Sequence, residues 1–152
     1  MAWRPVNSPL GRFTAQFPDV PKVQAPTTVQ TALGPLDIQS YDVDMHAAGY
    51  FAVTYTDYPA AAISMSNPDS VLEGAKNGAV SNVHGTLLDS KVIAVQGYPG
   101  RDLKIFANNQ TVFQRIVLAR NRLYQVIVVM PGTRPVVPPD VLRFDQGFVI
   151  TH

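Results

Sequence analysis

The sequence predicts an α+β sandwich, in which a largely antiparallel sheet is kept apart from its helices. Three observations predict it. The C-terminal half reads as successive strands, Thr86 to Gln96, Arg101 to Phe106, Thr111 to Ala119 and Arg122 to Met130, each bounded by Gly, Pro or Asn. One long stretch, about Pro68 to Val83, carries apolar residues at helical spacing. The 152 residues suffice for one domain with a proper core and are too few for two ordinary ones, so 1–152 is read as a single domain.

Taken in order, Trp3 to Val6 suits a short strand before a turn at Asn7-Ser8-Pro9. Arg12 to Phe17 alternates, with Phe13, Ala15 and Phe17 on one face, and Pro18 and Pro21 end it. Val23 to Thr31 is polar and threonine-rich, an exposed strand that Pro26 assigns to an edge. A turn is expected at Gly34-Pro35. Leu36 to Met45 then sets Tyr41, Val43 and Met45 on one side and Asp42, Asp44 and His46 on the other. Ala47-Ala48-Gly49 closes a hairpin into Tyr50 to Tyr58.

The period then changes. Asn67 is a good N-cap, and Pro68 stands at the first helical position, where its missing N–H costs nothing. Val71, Leu72, Ala75, Ala79, Val80 and Val83 form the stripe that packs on the sheet. Gly74 and Gly78 each weaken the helix by about 1 kcal/mol, so a close approach of its backbone to the sheet is expected there. Asn108-Asn109 and Arg120-Asn121 read as tight hairpin turns. Leu123 to Met130 is apolar on both faces and is assigned to the centre of the sheet. After a proline-rich loop, Gly132 to Pro139, a short helix at about 140–145 carries Val141, Leu142 and Phe144, and Gly147 to Thr151 ends the chain as a strand.

Composition narrows the function. Hydrophobic residues make up 46% and charged residues 15%, the reverse of a disordered chain. Net charge is +1 from 12 basic and 11 acidic residues, and the densest basic cluster is Arg115, Arg120 and Arg122. A nucleic-acid binder shows a basic stripe and a far larger excess, so no nucleic-acid partner is expected. With no cysteine, disulfides, thiol catalysis and cysteine metal sites are excluded. No run approaches the roughly 18 apolar residues of a membrane span. No signal peptide is visible, and the chain opens at Met1-Ala2-Trp3, almost on its first expected strand, an opening compatible with removal of a leader.

Three segments resemble a known family. Trp3 with Gly11-Arg12-Phe13 and Phe17-Pro18-Asp19-Val20-Pro21 resembles an entry of the form W, G-x-F, F-P-x-x-P. Gln96-Gly97-Tyr98-Pro99-Gly100-Arg101 resembles a G-x-P-G-R/E turn between central strands. Leu123-Tyr124-Gln125-Val126 and Arg143-Phe144-Asp145-Gln146-Gly147-Phe148 resemble an L-Y-x-L/V strand and a closing F-x-x-S-F corner, with Gln146-Gly147 departing from that pattern. These are similar to bacterial extracytoplasmic domains of unassigned function in the PsbP-like superfamily. The superfamily also holds the extrinsic PsbP subunit of photosystem II and a Ran-binding nuclear import factor. The resemblance implies an α/β/α sandwich around an antiparallel sheet and, if a leader is removed, a periplasmic, cell-surface or lipid-anchored location. It implies little about activity, since such a fold serves assembly factors and partner-binding subunits alike.

Few residues suggest chemistry. Asp42, Asp44 and His46 alternate on one strand face, and Asp with His suits zinc or manganese, but an ordinary solvated strand looks the same. No serine sits in a nucleophile elbow, Glu73 is the one glutamate, and Gly97 to Gly100 cannot cradle phosphate. His84 reads as a helix cap. Arg115 shares a strand face with Phe113 and Val117 and calls for an ion-pair partner, with Asp102 the candidate. Tyr58, Tyr98, Pro99 and Arg101 fall at strand ends or turns, where binding residues concentrate, and the expected working surface is an open sheet edge or the loops around these residues and Gly132 to Pro139. The reading is a non-enzymatic module without cofactor, a monomer or weak homo-oligomer, that binds a protein partner or serves as an accessory subunit. The alternative is a small-ligand or metal-binding domain with a pocket between helix and sheet, using Asp42, Asp44 and His46 if a metal is involved.

Overall fold

The computed structural model describes residues 1–31 and 34–152. Among them, eleven strands form two sheets. Strands β1 (Arg4–Ser8), β2 (Phe13–Phe17) and β11 (Val149–Ile150) make a small sheet in the order β1-β2-β11. The large sheet holds β3 (Lys22–Val23), β4 (Thr27–Thr31), β5 (Gly34–Asp44), β6 (Tyr50–Asp57), β7 (Thr86–Val95), β8 (Tyr98–Ala107), β9 (Gln110–Ala119) and β10 (Arg122–Pro131). Its order is β3-β5-β6-β10-β9-β8-β7, with β4 also on β5, and the pairing is antiparallel throughout. Three helices accompany them, α1 (Ala60–Ser64), α2 (Pro68–Asn82) and α3 (Pro139–Gly147). The α+β class stands.

The sheet separates two cores. On one face Phe13, Phe17, Phe51, Tyr124, Phe144 and Phe148 are buried together, bringing β2, β6, β10 and α3 into a single aromatic cluster. Ring centroids of Phe17 and Phe144 lie 5.1 Å apart, edge to face, an arrangement the ring quadrupoles favour. On the other face Leu72 of α2 meets Leu103, Ile105, Val112, Ile116, Leu118 and Leu123. The layer opposite α2 is therefore α3 together with the small sheet, a sheet-on-sheet component that the α/β/α expectation lacked.

Local rules account for most elements. β10 is central because it is apolar on both sides, Tyr124, Val126, Val128 and Met130 joining the aromatic core and Leu123, Ile127 and Val129 the other. The side chain of Asn67 accepts the Asp69 N–H at 2.8 Å, and Pro68 opens α2 as expected. Asn108 and Asn109 take φ of 53° and 58°, the left-handed pair that a two-residue hairpin requires.

Some expectations needed correction. The strand expected over Val23 to Thr31 breaks at Pro26 into β3 and β4, both at the edge. Gly34 and Pro35 are already paired in β5, opposite Thr31 and Gln30. α1, which has no apolar periodicity, was not foreseen. A Cβ on Gly74 or Gly78 would meet nothing within 4 Å, so neither glycine marks a close approach. That role falls to Gly100, where a Cβ would lie 2.5 Å from the Ile116 carbonyl oxygen.

Candidate functional site: a charged groove beneath α3

Strand alternation builds the floor of the groove. On β8, Asp102 and Lys104 point to the α3 face, and register sets Arg115 of β9 opposite Asp102 and Phe113 opposite Lys104. Arg115 donates to both Asp102 oxygens, Nε at 2.8 Å and Nη2 at 3.0 Å, the pair expected from sequence. The Lys104 ammonium stands 6.0 Å from the Phe113 ring centroid. On β7, Lys91 and Asp89 extend the same face, opposite Asp102 and Lys104.

α3 forms the wall. Val141 and Phe144 are buried, and Asp145, one turn after Val141, turns toward Arg115. The enclosed volume is about 210 Å³. Burial pushes the Asp145 carboxyl up to about 7; the Arg115 guanidinium pulls it down and the Asp102 carboxylate raises it further. At the rim, Leu142 is 48% exposed, and Val137 of the proline-rich loop is exposed beside it. The groove thus joins a charged floor to an apolar lip.

Tyr58, Tyr98, Pro99 and Arg101 lie elsewhere. Arg101 is 5% exposed on the α2 face, where Nη2 donates to Asp69 at 2.9 Å, Nη1 to the Gly100 carbonyl at 2.8 Å and Nε to Glu73 at 3.4 Å. Its guanidinium fastens α2 to the sheet. Tyr58 packs against that same core, whereas Tyr98 packs on the opposite, aromatic one. Pro99 pairs with Ala94. The expected turn between central strands is two residues long, Gln96 and Gly97 at φ 53° and 83°; Tyr98 to Arg101 already belong to β8, and β7 is an edge. The four residues do not converge on one surface.

Asp42 is engaged apart from Asp44 and His46. Asp42 accepts from Gln24 Nε2 at 2.9 Å and from the Tyr50 hydroxyl at 2.6 Å. His46 leaves the strand for a 3-10 turn at φ 55°, its N–H donating to Asp44 at 2.8 Å. Among the described residues no three His, Asp or Glu side chains gather around a point that could hold a metal ion. The basic cluster also disperses: Arg115 binds Asp102, while Arg122 pairs with Asp57 at 2.6 and 2.8 Å and lies over the Tyr55 ring.

A second cavity, about 220 Å³, lies between α2 and the β4–β5 arm, lined by Leu36, Ile38, Tyr58, Ala79 and Leu123 among others. It is a pocket between helix and sheet. Two of its polar atoms are already engaged: the Thr56 hydroxyl donates to the Asp37 carbonyl, and the Gln125 side-chain oxygen accepts from the Gln114 amide.

Over 97% of its length the chain superposes on 92% of cyanobacterial PsbP (CyanoP) from Synechocystis sp. PCC 6803, with a TM-score of 0.63 and 9% sequence identity. The fold is PsbP-like. A Pseudomonas aeruginosa protein of unknown function, described as a putative regulator, matches over 81% of this chain and 90% of its own, at TM-score 0.42 and 11% identity. No family model and no curated protein matches the sequence. The residues on which the sequence resemblance rests serve the framework: the Tyr124 hydroxyl donates to the Gly11 carbonyl, and Phe13, Phe17, Phe144 and Phe148 fill the aromatic core. The groove residues Lys104 and Leu142 lie outside the segments of that resemblance, and Asp145 lies within the closing one. Asp145 is not singled out in the sequence; the signal that could have found it is an acid one turn beyond buried Val141 on a short amphipathic helix.

Proposed function

We propose that this PsbP-like module is a non-catalytic accessory protein that binds a protein partner along the α3 groove, in an extracytoplasmic compartment. One observation carries the reading: an apolar lip, Val137 and Leu142, lines the same groove as the polar side chains Lys104, Asp102, Arg115 and Asp145. Protein interfaces combine these elements, an apolar anchor and a polar surround that fixes orientation. The PsbP-like resemblance supports an accessory role and the compartment. The cavity under α2 supports a small ligand less, because its Thr56 and Gln125 side chains are already bonded within the protein.

A photo-crosslinking residue at Leu142, in the cells that make the protein, tests the proposal. The expected outcome is one discrete adduct with a second protein, absent when the crosslinker stands at Asn77 on the exposed side of α2. No adduct from Leu142, or the same adduct from both positions, overturns it.

A further inference from the structure

β7 is the edge of the large sheet, ten residues long, and among the described residues no strand covers its outer side. Such an edge is a template for another strand unless something blunts it. β7 carries no proline, and a bulge between Leu87 and Asp89 disturbs only its first part. Leu88 and Val92, 52% and 78% exposed, add apolar surface to it.

The backbone phase of this edge follows from its turn. Pro99, opposite Ala94, has no N–H, so that pair is one of the non-bonded pairs of the β7–β8 ladder. Alternation then turns the N–H and C=O of Val92 and Ser90 outward as well. A two-fold axis at Ser90 would let Ser90 pair with the Ser90 of a second copy through both groups. In that register Leu88 lies opposite Val92, and Asp89 lies opposite Lys91 at the non-bonded positions, where side chains approach closest.

The charges agree with that register. Within one chain, Arg115 lies opposite Asp102 and Asp102 opposite Lys91, while Lys104 lies opposite Asp89. Joining two copies at Ser90 extends this into one ladder of alternating sign: Arg115, Asp102 and Lys91 of one copy, then Asp89 and Lys104 of the next. By symmetry the ladder occurs twice. Within the isolated chain Lys91 and Asp89 are 3.9 Å apart and both solvated, a weak contact that a cross-strand partner can replace.

We infer that β7 is a self-complementary edge through which two copies of this chain pair antiparallel about Ser90, making one continuous sheet. The occupant is a second copy because the strand is its own electrostatic complement. This inference concerns the protein alone and does not rest on the partner proposed for the α3 groove.

Sedimentation of the purified protein across a concentration series, with two charge variants, tests it. Wild type is expected to dimerise reversibly, more weakly at high salt. Asp89→Lys sets like charges opposite each other in the homodimer, and so does Lys91→Asp; each alone should associate at least ten-fold more weakly. Mixed one to one, the two variants restore both ion pairs and should form a heterodimer, which also shows that both are folded. A wild type that stays monomeric throughout the series overturns the inference, as does a mixture no more associated than its components.

Discussion

The two faces of the large sheet are covered by unlike means. On the α3 face, α3 and the small sheet contribute Phe13, Phe17, Phe144 and Phe148 to a core that reaches β6 and β10 at the sheet centre. On the α2 face, α2 buries one side chain fully, Leu72, and is tied by the Arg101 contacts to Asp69 and Glu73. The difference teaches where cohesion resides. Aromatic rings bury roughly 150–250 Å² each, far more than one leucine and two half-solvated ion pairs supply. The α3 face is the foundation, and α2 is the layer that can open first.

The sharpest way to break that comparison is a pair of truncations. Phe144→Ala should cost about 4 kcal/mol and Leu72→Ala about 3 kcal/mol. Hydrogen exchange should separate their character: Phe144→Ala lowers protection in β10 and β9 together, whereas Leu72→Ala lowers it in α2 first. If Leu72→Ala exposes β10 equally, the two faces are a single cooperative unit and the comparison is wrong.

A smaller effect probes the foundation through pH. Asp145 holds its proton up to about 7 when folded and releases it near 3.9 when unfolded. Below both values the two states are equally protonated. As pH rises through that window the unfolded state loses its proton first, so the contribution of Asp145 to stability declines and levels off above 7. Asp145→Asn should therefore gain on wild type with rising pH: a shift of this size corresponds to about 4 kcal/mol between pH 4 and pH 8, and solvent screening at the half-buried carboxyl reduces it to on the order of 2 kcal/mol. Urea melts at the two pH values measure it, and parallel curves would refute the burial of that carboxyl.

The smallest effect concerns the thin face. Gly74 and Gly78 have room for a Cβ and helical backbone. Gly74→Ala and Gly78→Ala should each stabilise the protein by up to about 1 kcal/mol. Thermal melts register this as a small rise in Tm; a fall would mean that α2 sits closer to the sheet than it stands here.

The framework was more legible in the sequence than the groove. Periodicity and caps are local signals, so Asn67-Pro68, the Asn108-Asn109 turn and the doubly apolar β10 could be read directly. The small sheet could not, because pairing β2 with β11 joins Thr14 to Val149 across most of the chain. The site residues were misplaced for the same reason. Arg101 looked like a turn residue beside Gly97 and Pro99, and only the packing of α2 brings Asp69 and Glu73 to it. His46 lost its strand phase to a turn residue's positive φ. Lys104, Asp145 and Leu142 come from three segments, and nothing short-range ties them together.

Gln96 has a further consequence. Its side-chain amide donates to the Ile150 carbonyl at 2.9 Å and accepts the Ile150 N–H at 2.8 Å. It imitates one residue of a neighbouring strand, so the free side of β11 already has an occupant. A single side chain at the β7–β8 turn thereby stops the small sheet from growing beyond β11, while the strand that leads into that turn stays open.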